Sequence, residues 1–123
     1  MDCPFCEIPA PRIAGENLSA FLIYDGYPVT KLHSLIIPKR HVADIWDLTA
    51  SETADCLELL QQQKDKIQTQ DKSVQGFNVG VNVGAAAGQT VFHAHIHLIP
   101  RRVGDVSEPR GGVRGVIPSK RTY

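Results

Sequence analysis

Residues 88–100 read GQTVFHAHIHLIP and carry three of the five histidines of the chain, at positions 93, 95 and 97. An imidazole can ligate a metal, carry a proton near neutral pH, or attack an electrophile through its unprotonated nitrogen. On an extended strand the three would share one face, but residues four apart lie about 13 Å from each other. Zinc needs each nitrogen at about 2.0–2.1 Å, so one ion held by all three from a straight strand is disfavoured. At least one imidazole is then free for other chemistry. The preceding GAAAGQT, Gly84 to Thr90, offers backbone N–H groups with little steric cover, as an anion-binding loop requires. Gln89 and Thr90 add side-chain donors. A donor-rich loop leading into histidines suits a phosphate with a nucleophile or proton-transfer group beside it. The plainer alternative is a half-solvated strand face, where Thr, Ser or Lys would be the commoner choice.

Cys3 and Cys6 form the motif CPFC. The pair could be redox-active or half of a zinc site. No βαβ pattern surrounds it, which weakens the redox reading. Zinc needs two more ligands, and the chain has histidines to spare. The remaining alternative is two free, reduced thiols. Cys56 reads as a small buried or half-buried residue of a helix.

The elements that must position these groups are legible in outline. DLTASETADCLELLQQQKDKIQ is the one long helix, with Thr49 and Glu52 in capping-box spacing. Ala50, Ala54, Leu57, Leu60 and Ile67 recur as a buried stripe would, leaving Gln61 to Lys66 as a solvated face. Strands are expected at 17–25, 33–39, 76–83 and 90–101. In the third, Phe77, Val79, Val81 and Val83 oppose Asn78, Gly80 and Asn82. In the last, Phe92, Ala94, Ile96 and Leu98 oppose the three histidines. Pro4, Pro9 and Pro11 limit the N-terminus to a short helical turn. The Gly- and Pro-rich tail from Glu108 reads as an irregular arm, with a short edge strand at Val113 to Ile117. Strands flanking one helix imply an α+β fold with a mostly antiparallel sheet of about five strands.

At 123 residues the chain is expected to form one domain. Thirteen basic residues balance thirteen acidic ones, so neither nucleic acid nor an anionic membrane is an expected partner. No apolar run approaches the roughly 20 residues that span a bilayer. MDCPFCEIPAPR lacks the character of a signal peptide, and an odd number of cysteines argues against a secreted disulfide framework. The expected location is the cytoplasm.

HAHIHLI matches the His-x-His-x-His-x-x pattern, x apolar, and the chain resembles the histidine triad (HIT) superfamily of nucleotide hydrolases and transferases. HSLIIPKRH resembles that family's second strand. AGQTVFHAHIHLIPRRVGD looks most like its bacterial dinucleoside polyphosphate hydrolase branch. The resemblance runs over residues 3–106 and leaves 107–123 as a C-terminal arm. It implies that His95 attacks the α-phosphorus, giving a transient nucleotidyl-histidine, while its other nitrogen keeps its proton and donates a hydrogen bond to a backbone carbonyl near His93. His97 would bond a phosphate oxygen and help the leaving group depart, and His33 would support the triad from the adjacent strand. Asp25 would hold the ribose hydroxyls, although Asp25-Gly26 is equally a common turn pair. Asn82, Gly88, Gln89, Thr90 and Val91 would contact phosphate, Val91 through its backbone.

By the same resemblance, Cys3, Cys6, His41 and His93 would share a structural zinc, and the protein would be a homodimer with one continuous sheet. The implied activity is cleavage of the α-phosphate linkage of a dinucleoside polyphosphate, with an adenine nucleotide as the first expectation. The alternatives are a purine nucleoside phosphoramidase and a non-catalytic nucleotide- and zinc-binding module. A nucleotidylyltransferase ranks lower, because a short chain leaves little room for a second substrate. Relatives often carry a Trp in the C-terminal segment, whereas the only Trp here is Trp46. Arg101, Arg102, Arg110, Arg114, Lys120 and Arg121 either gather near far phosphates or serve as solubilising charge.

Overall fold

Thr49 starts α1 (Ala50–Gln70), the only α-helix among the described residues. Its hydroxyl accepts the Glu52 N–H at 3.1 Å, and the Glu52 carboxylate accepts the Thr49 N–H at 2.9 Å, the reciprocal capping box expected from the sequence. Arg40 also grips Glu52 through two nitrogens, and with the Thr49 bonds this pulls the carboxyl down to about 2. The computed structural model describes residues 3–123.

The buried stripe of α1 differs from the expected one. It runs Cys56, Leu59, Gln63 and Ile67, while Ala50, Ala54 and Leu57 are exposed. The apolar residues at 57 and 60 suggested a phase rotated from the true one. Cys56 and Leu59 pack with Ala20, Leu22, Ile36 and Ile96, and Leu60 flanks this core. Gln63, expected on a solvated face, is 1% exposed. Its amide nitrogen donates to the Ser34 hydroxyl at 3.0 Å and to the Tyr24 hydroxyl at 3.3 Å, partners that lie on strands and are invisible to helical periodicity.

Among the described residues five strands form one antiparallel sheet: β1 (Ile13–Glu16), β2 (Ala20–Tyr24), β3 (Ser34–Pro38), β4 (Val74–Gly80) and β5 (Ile96–Arg102), in the order β1-β2-β3-β5-β4. This is the α+β architecture expected, although β1 has no counterpart in the sequence reading. β3 lies at the centre and is buried throughout. Leu22 pairs with Ile36 and points to the helix, whereas Ile23, Leu35 and Ile37 cluster on the other face under Phe5 and Ile8 of the N-terminal segment. Leu35 pairs with His97, so the period of two places His97 on that second face, away from α1. The functional face of the sheet is thereby chosen by register.

Two further expectations are corrected. The strand expected at 90–101 begins only at Ile96, because residues 91–93 bend and His93 turns into the protein, where it is 0% exposed. The three histidines therefore do not share a strand face. The edge strand expected at Val113 to Ile117 is a 3-10 helix, Gly112–Val116, entered through positive φ at Gly111 and Gly112. Among the described residues no helix is long and apolar enough to cross a membrane.

Candidate active site and metal centre

Hydrogen bonds assign the proton on His33, His93, His95 and His97. The Val29 N–H donates to His33 Nδ1 at 3.0 Å, so neutral His33 carries its proton on Nε2. That N–H donates to His97 Nδ1, also at 3.0 Å, which leaves the proton of His97 on Nε2. Burial, reinforced by His95 and His33, pushes His97 down to about 4 despite the opposing Asp25. Burial likewise lowers His33, partly countered by Asp25. Both rings are then neutral near pH 7, and His97 offers an N–H donor.

His95 has the opposite tautomer. Its Nδ1–H donates to the backbone carbonyl of His93 at 2.8 Å, leaving a lone pair on Nε2. The rings of His95 and His97 are 5.1 Å apart. They lie in one cleft of about 700 Å³, which also takes in Asp25, Asn82, Gly88, Gln89, Thr90 and Val91. His33 stands behind His97 and does not line that cleft, and His93 is turned away from it.

The loop before the histidines is shaped by Gly84 and Gly88, at φ of 88° and 95°, on either side of the 3-10 turn Ala85–Ala87. Non-glycine residues rarely adopt that region. Gln89, expected as a phosphate donor, closes the loop instead. Its amide oxygen accepts the Gly84 N–H at 2.8 Å, and its amide nitrogen donates to the carbonyls of Ala43 at 2.6 Å and Val91 at 3.1 Å. Its own N–H donates to Gly84 O. The donors left over are the Thr90 hydroxyl and the N–H groups of Thr90 and Val91, which have no partner among the described residues. One oxygen of Asp25 accepts the Tyr27 N–H at 2.8 Å in a turn, and the other lies 3.5 Å from His33 Nε2, too long to saturate it. Asp25 thus serves the turn and still presents an acceptor to the cleft.

Cys3, Cys6, His41 and His93 converge so that one donor atom from each lies within 4.8 Å of the others. His93 Nδ1 is 3.4 Å from Cys3 Sγ, 3.5 Å from Cys6 Sγ and 3.1 Å from His41 Nδ1, and Cys6 Sγ is 3.1 Å from His41 Nδ1. Tetrahedral zinc at its usual bond lengths separates sulfur and nitrogen by about 3.5 Å and two nitrogens by about 3.3 Å. The donor set therefore fits such an ion. His93 Nε2–H donates to Pro38 O at 2.7 Å, which fixes the tautomer with Nδ1 free to ligate. Asp25, His33 and His97 are as close to one another, but there the chemistry differs. Val29 occupies His33 Nδ1, so Nε2 bears the proton and has no lone pair for a metal.

Sequence reasoning missed six residues of the cleft, Pro4, Phe5, Arg12, Gly26, Tyr27 and Leu35, of which Phe5, Arg12 and Tyr27 bring the side chains with most to offer a ligand. Phe5, between the two cysteines, sets its ring 5.0 Å from that of His95 and 6.1 Å from that of His93. Its signal was an aromatic enclosed by two candidate ligands. Arg12 donates to Tyr24 O at 3.2 Å and stands at the Asp25 end of the cleft, beside the exposed Tyr27. Neither of the last two carries a sequence signal beyond its type.

The profile of the HIT domain matches residues 7–104. A HIT-like protein of Mycobacterium tuberculosis is 37% identical over 110 residues, covering 85% of this chain and 75% of its own. The crystal structure of a Zn-bound histidine triad family protein from Mycobacterium smegmatis superposes with a TM-score of 0.77 at 36% identity, covering 88% of this chain and 81% of that one. Adenylylsulfatase HINT3 of Arabidopsis thaliana is 37% identical over 109 residues, and this chain spans 85% of itself but 54% of that protein. Members of the family are nucleotide hydrolases and transferases. The HAHIHLI motif, the five-stranded sheet that carries it and the profile match agree: the chain belongs to the HIT family.

Proposed function

We propose that this protein hydrolyses the bond to the α-phosphorus of an adenine nucleotide, through a nucleotidyl-histidine on His95. The observation that carries the reading is the bare Nε2 of His95, imposed by the 2.8 Å bond from Nδ1–H to the His93 carbonyl, in a cleft that holds unpartnered donors. The Nε2 lone pair forms the N–P bond as the bond from phosphorus to the leaving atom breaks. The leaving atom departs with that electron pair and takes a proton from solvent water. A second water then attacks phosphorus, and the pair of the N–P bond returns to Nε2. Its hydroxyl stays on the nucleotide as a monophosphate, and its proton balances the one taken up by the leaving group. His97 Nε2–H, Thr90 and the Val91 N–H stabilise charge on the non-bridging oxygens. His97, neutral near pH 7, acts as a hydrogen-bond donor rather than a cationic acid.

Cys3, Cys6, His41 and His93 hold a structural zinc in this reading, supported by the fit of the donor set and by the Zn-bound relative. The ion would tie the N-terminal segment to the stretch before β5 that carries the nucleophile. Thiols used this way suit a reducing compartment, and the reading includes a cytoplasmic location. The adenine preference rests on the adenylylsulfatase relative. A second copy joins along the outer edge of β4, beside an apolar groove of about 410 Å³ that includes Trp46, Leu57 and Val79.

The charge of the cleft bears on the leaving group. Arg12 is its only Lys or Arg, and it lies at the Asp25 end. Arg101 is engaged by Asp105 and Asn78, and Arg102 by Asp71. Among the described residues that line the cleft, no Lys or Arg other than Arg12 faces distant phosphates, which favours an amine leaving group over a polyphosphate. The test compares AMP release from adenosine phosphoramidates and from diadenosine tri- and tetraphosphates. Phosphoramidates are expected to be cleaved faster, and His95→Ala to abolish turnover of all of them while retaining nucleotide binding. Absence of AMP from every substrate would end the hydrolase reading and leave the binding-module alternative.

A further inference from the structure

Leu32 has a φ of 75°, the only positive φ outside glycine among the described residues. In that region Cβ crowds the following carbonyl oxygen, and leucine has no polar group to offset this by a local hydrogen bond. Outliers of this kind persist where the surroundings hold them, and they gather at functional sites. Leu32 immediately precedes His33, the histidine whose N–H sets the tautomer of His97.

Several anchors hold this residue in place. Its side chain packs against the core cluster of Ile67, Val74 and Leu98. Its carbonyl oxygen accepts the Ser34 hydroxyl at 2.9 Å, a side-chain bond to the backbone two residues back. That hydroxyl is itself aimed, because its oxygen accepts the Gln63 amide at 3.0 Å and its hydrogen is left for Leu32. Ser34 is fully buried, so water does not compete for the bond. On the N-terminal side of Leu32, the Thr30 hydroxyl donates to Pro100 O of β5 at 2.7 Å, and the His33 N–H donates to Thr30 O at 3.1 Å. The chain from Val29 to His33 is thereby closed into one turn, with the Val29 N–H against His33 Nδ1.

Donor and acceptor matching carries the shape of that turn to His97. With the Val29 N–H on Nδ1, His33 donates from Nε2 to His97 Nδ1, and His97 keeps its own proton on Nε2. Relaxation of Leu32 to negative φ would withdraw the Val29 N–H and free His33 to carry its proton on Nδ1. The bare His33 Nε2 would then face His97 Nδ1, and only a proton on that nitrogen satisfies the contact. His97 Nε2 would be left with a lone pair where the phosphate oxygens need a donor. We propose that Ser34 and Leu32 are positioning residues: the buried hydroxyl holds Leu32 in the left-handed region, and the turn so formed keeps the His97 proton on Nε2. Their part in turnover rests on the hydrolytic reading above; the tautomer of His97 does not. Neither residue lines the cleft.

The test compares the wild type with Ser34→Ala, the double variant Ser34→Ala/Leu32→Gly, and Leu59→Val. The readouts are nitrogen NMR of the His97 ring, and kcat and KM for adenosine 5′-phosphoramidate. Ser34→Ala is expected to give a mixture of His97 tautomers and about a tenfold lower kcat, with KM nearly unchanged. Glycine enters the left-handed region without the steric cost. The double variant should therefore regain the Nε2–H form and a kcat above that of Ser34→Ala, although it removes more side chain from the core. Leu59→Val truncates a buried side chain of α1 outside this network and should keep the wild-type tautomer and kcat. The proposal is overturned if Ser34→Ala retains the wild-type tautomer, or if the double variant is as mixed as the single one. It is equally overturned if Leu59→Val mixes the tautomers to the same extent, since general loosening would then account for all three. Unchanged kcat in a variant with mixed tautomers removes the two residues from turnover. If the wild type cleaves no nucleotide, the hydrolytic reading falls, and the NMR comparison alone decides whether Ser34 and Leu32 hold His97.

Discussion

His33 Nε2 lies 3.0 Å from His97 Nδ1, and the backbone N–H of Val29, 3.0 Å from His33 Nδ1, decides which ring owns the proton between them. His33 does not line the cleft that holds His95; its N–H fixes the tautomer of His97. His33→Asn is expected to lower kcat by about 10–100-fold, the scale on which a misplaced group impairs catalysis, with a smaller change in KM. Nitrogen NMR of the His97 ring should show the Nε2–H form in the wild type and a mixture in the variant. A variant with wild-type tautomer and lowered kcat would assign His33 a different role.

Stability should fall as the solution is acidified through the histidine range. His97 has a folded pKa of about 4, below the ordinary imidazole value, so the unfolded chain binds more protons in between. The contribution is fully present above about pH 6.5 and is lost progressively toward pH 4; His33 acts in the same direction. The loss is on the order of 2 kcal/mol. Denaturant unfolding at pH 7 and pH 4.5 measures it, and His97→Asn should show a smaller difference between the two.

Zinc should purify with the protein at one equivalent per chain when chelators are avoided, as measured by elemental analysis. Cys3→Ser combined with Cys6→Ser should remove the ion and lower the melting temperature, because the N-terminal segment with Phe5 loses its tie to His41 and His93. No stoichiometric metal in the wild type would sink the zinc assignment.

Gln63 should tolerate shape better than charge. Gln63→Met keeps the volume and costs about 1 kcal/mol, since the Ser34 hydroxyl retains its bond to Leu32 O and the orphaned Gln63 Oε1 disappears. Gln63→Ala should cost about 2–4 kcal/mol through the cavity it leaves. Gln63→Glu would place a carboxylate in the core and should be worse than either. Denaturant midpoints at pH 7 rank the three.

The legible parts of this protein are those governed by near neighbours in the chain. Thr49 and Glu52 are three residues apart, and their reciprocal bonds follow from that spacing alone. HAHIHLI and PKRH are local patterns, and they led to the family and to most of the residues now found around the cleft and the candidate metal centre, while the α+β class followed from the alternation of strands around one helix. The edge strand expected in the arm failed because Gly111 and Gly112 adopt positive φ, a choice made by the packing of Gly112 against Asn78.

Alternating histidines by themselves determined that no straight strand could give all three to one ion, because the reach of an imidazole is short against the rise of a strand. Only the tertiary structure decided how they part. The chain bends at His93, whose side chain meets Cys3, Cys6 and His41 from distant segments while its carbonyl holds His95. Likewise no periodicity could turn Gln89 from a phosphate donor into a brace, since its partners at Gly84, Ala43 and Val91 come together only when the loop closes on the segment after β3. Sequence specifies which chemistry each side chain can perform; long-range packing sets which lone pairs remain free to perform it.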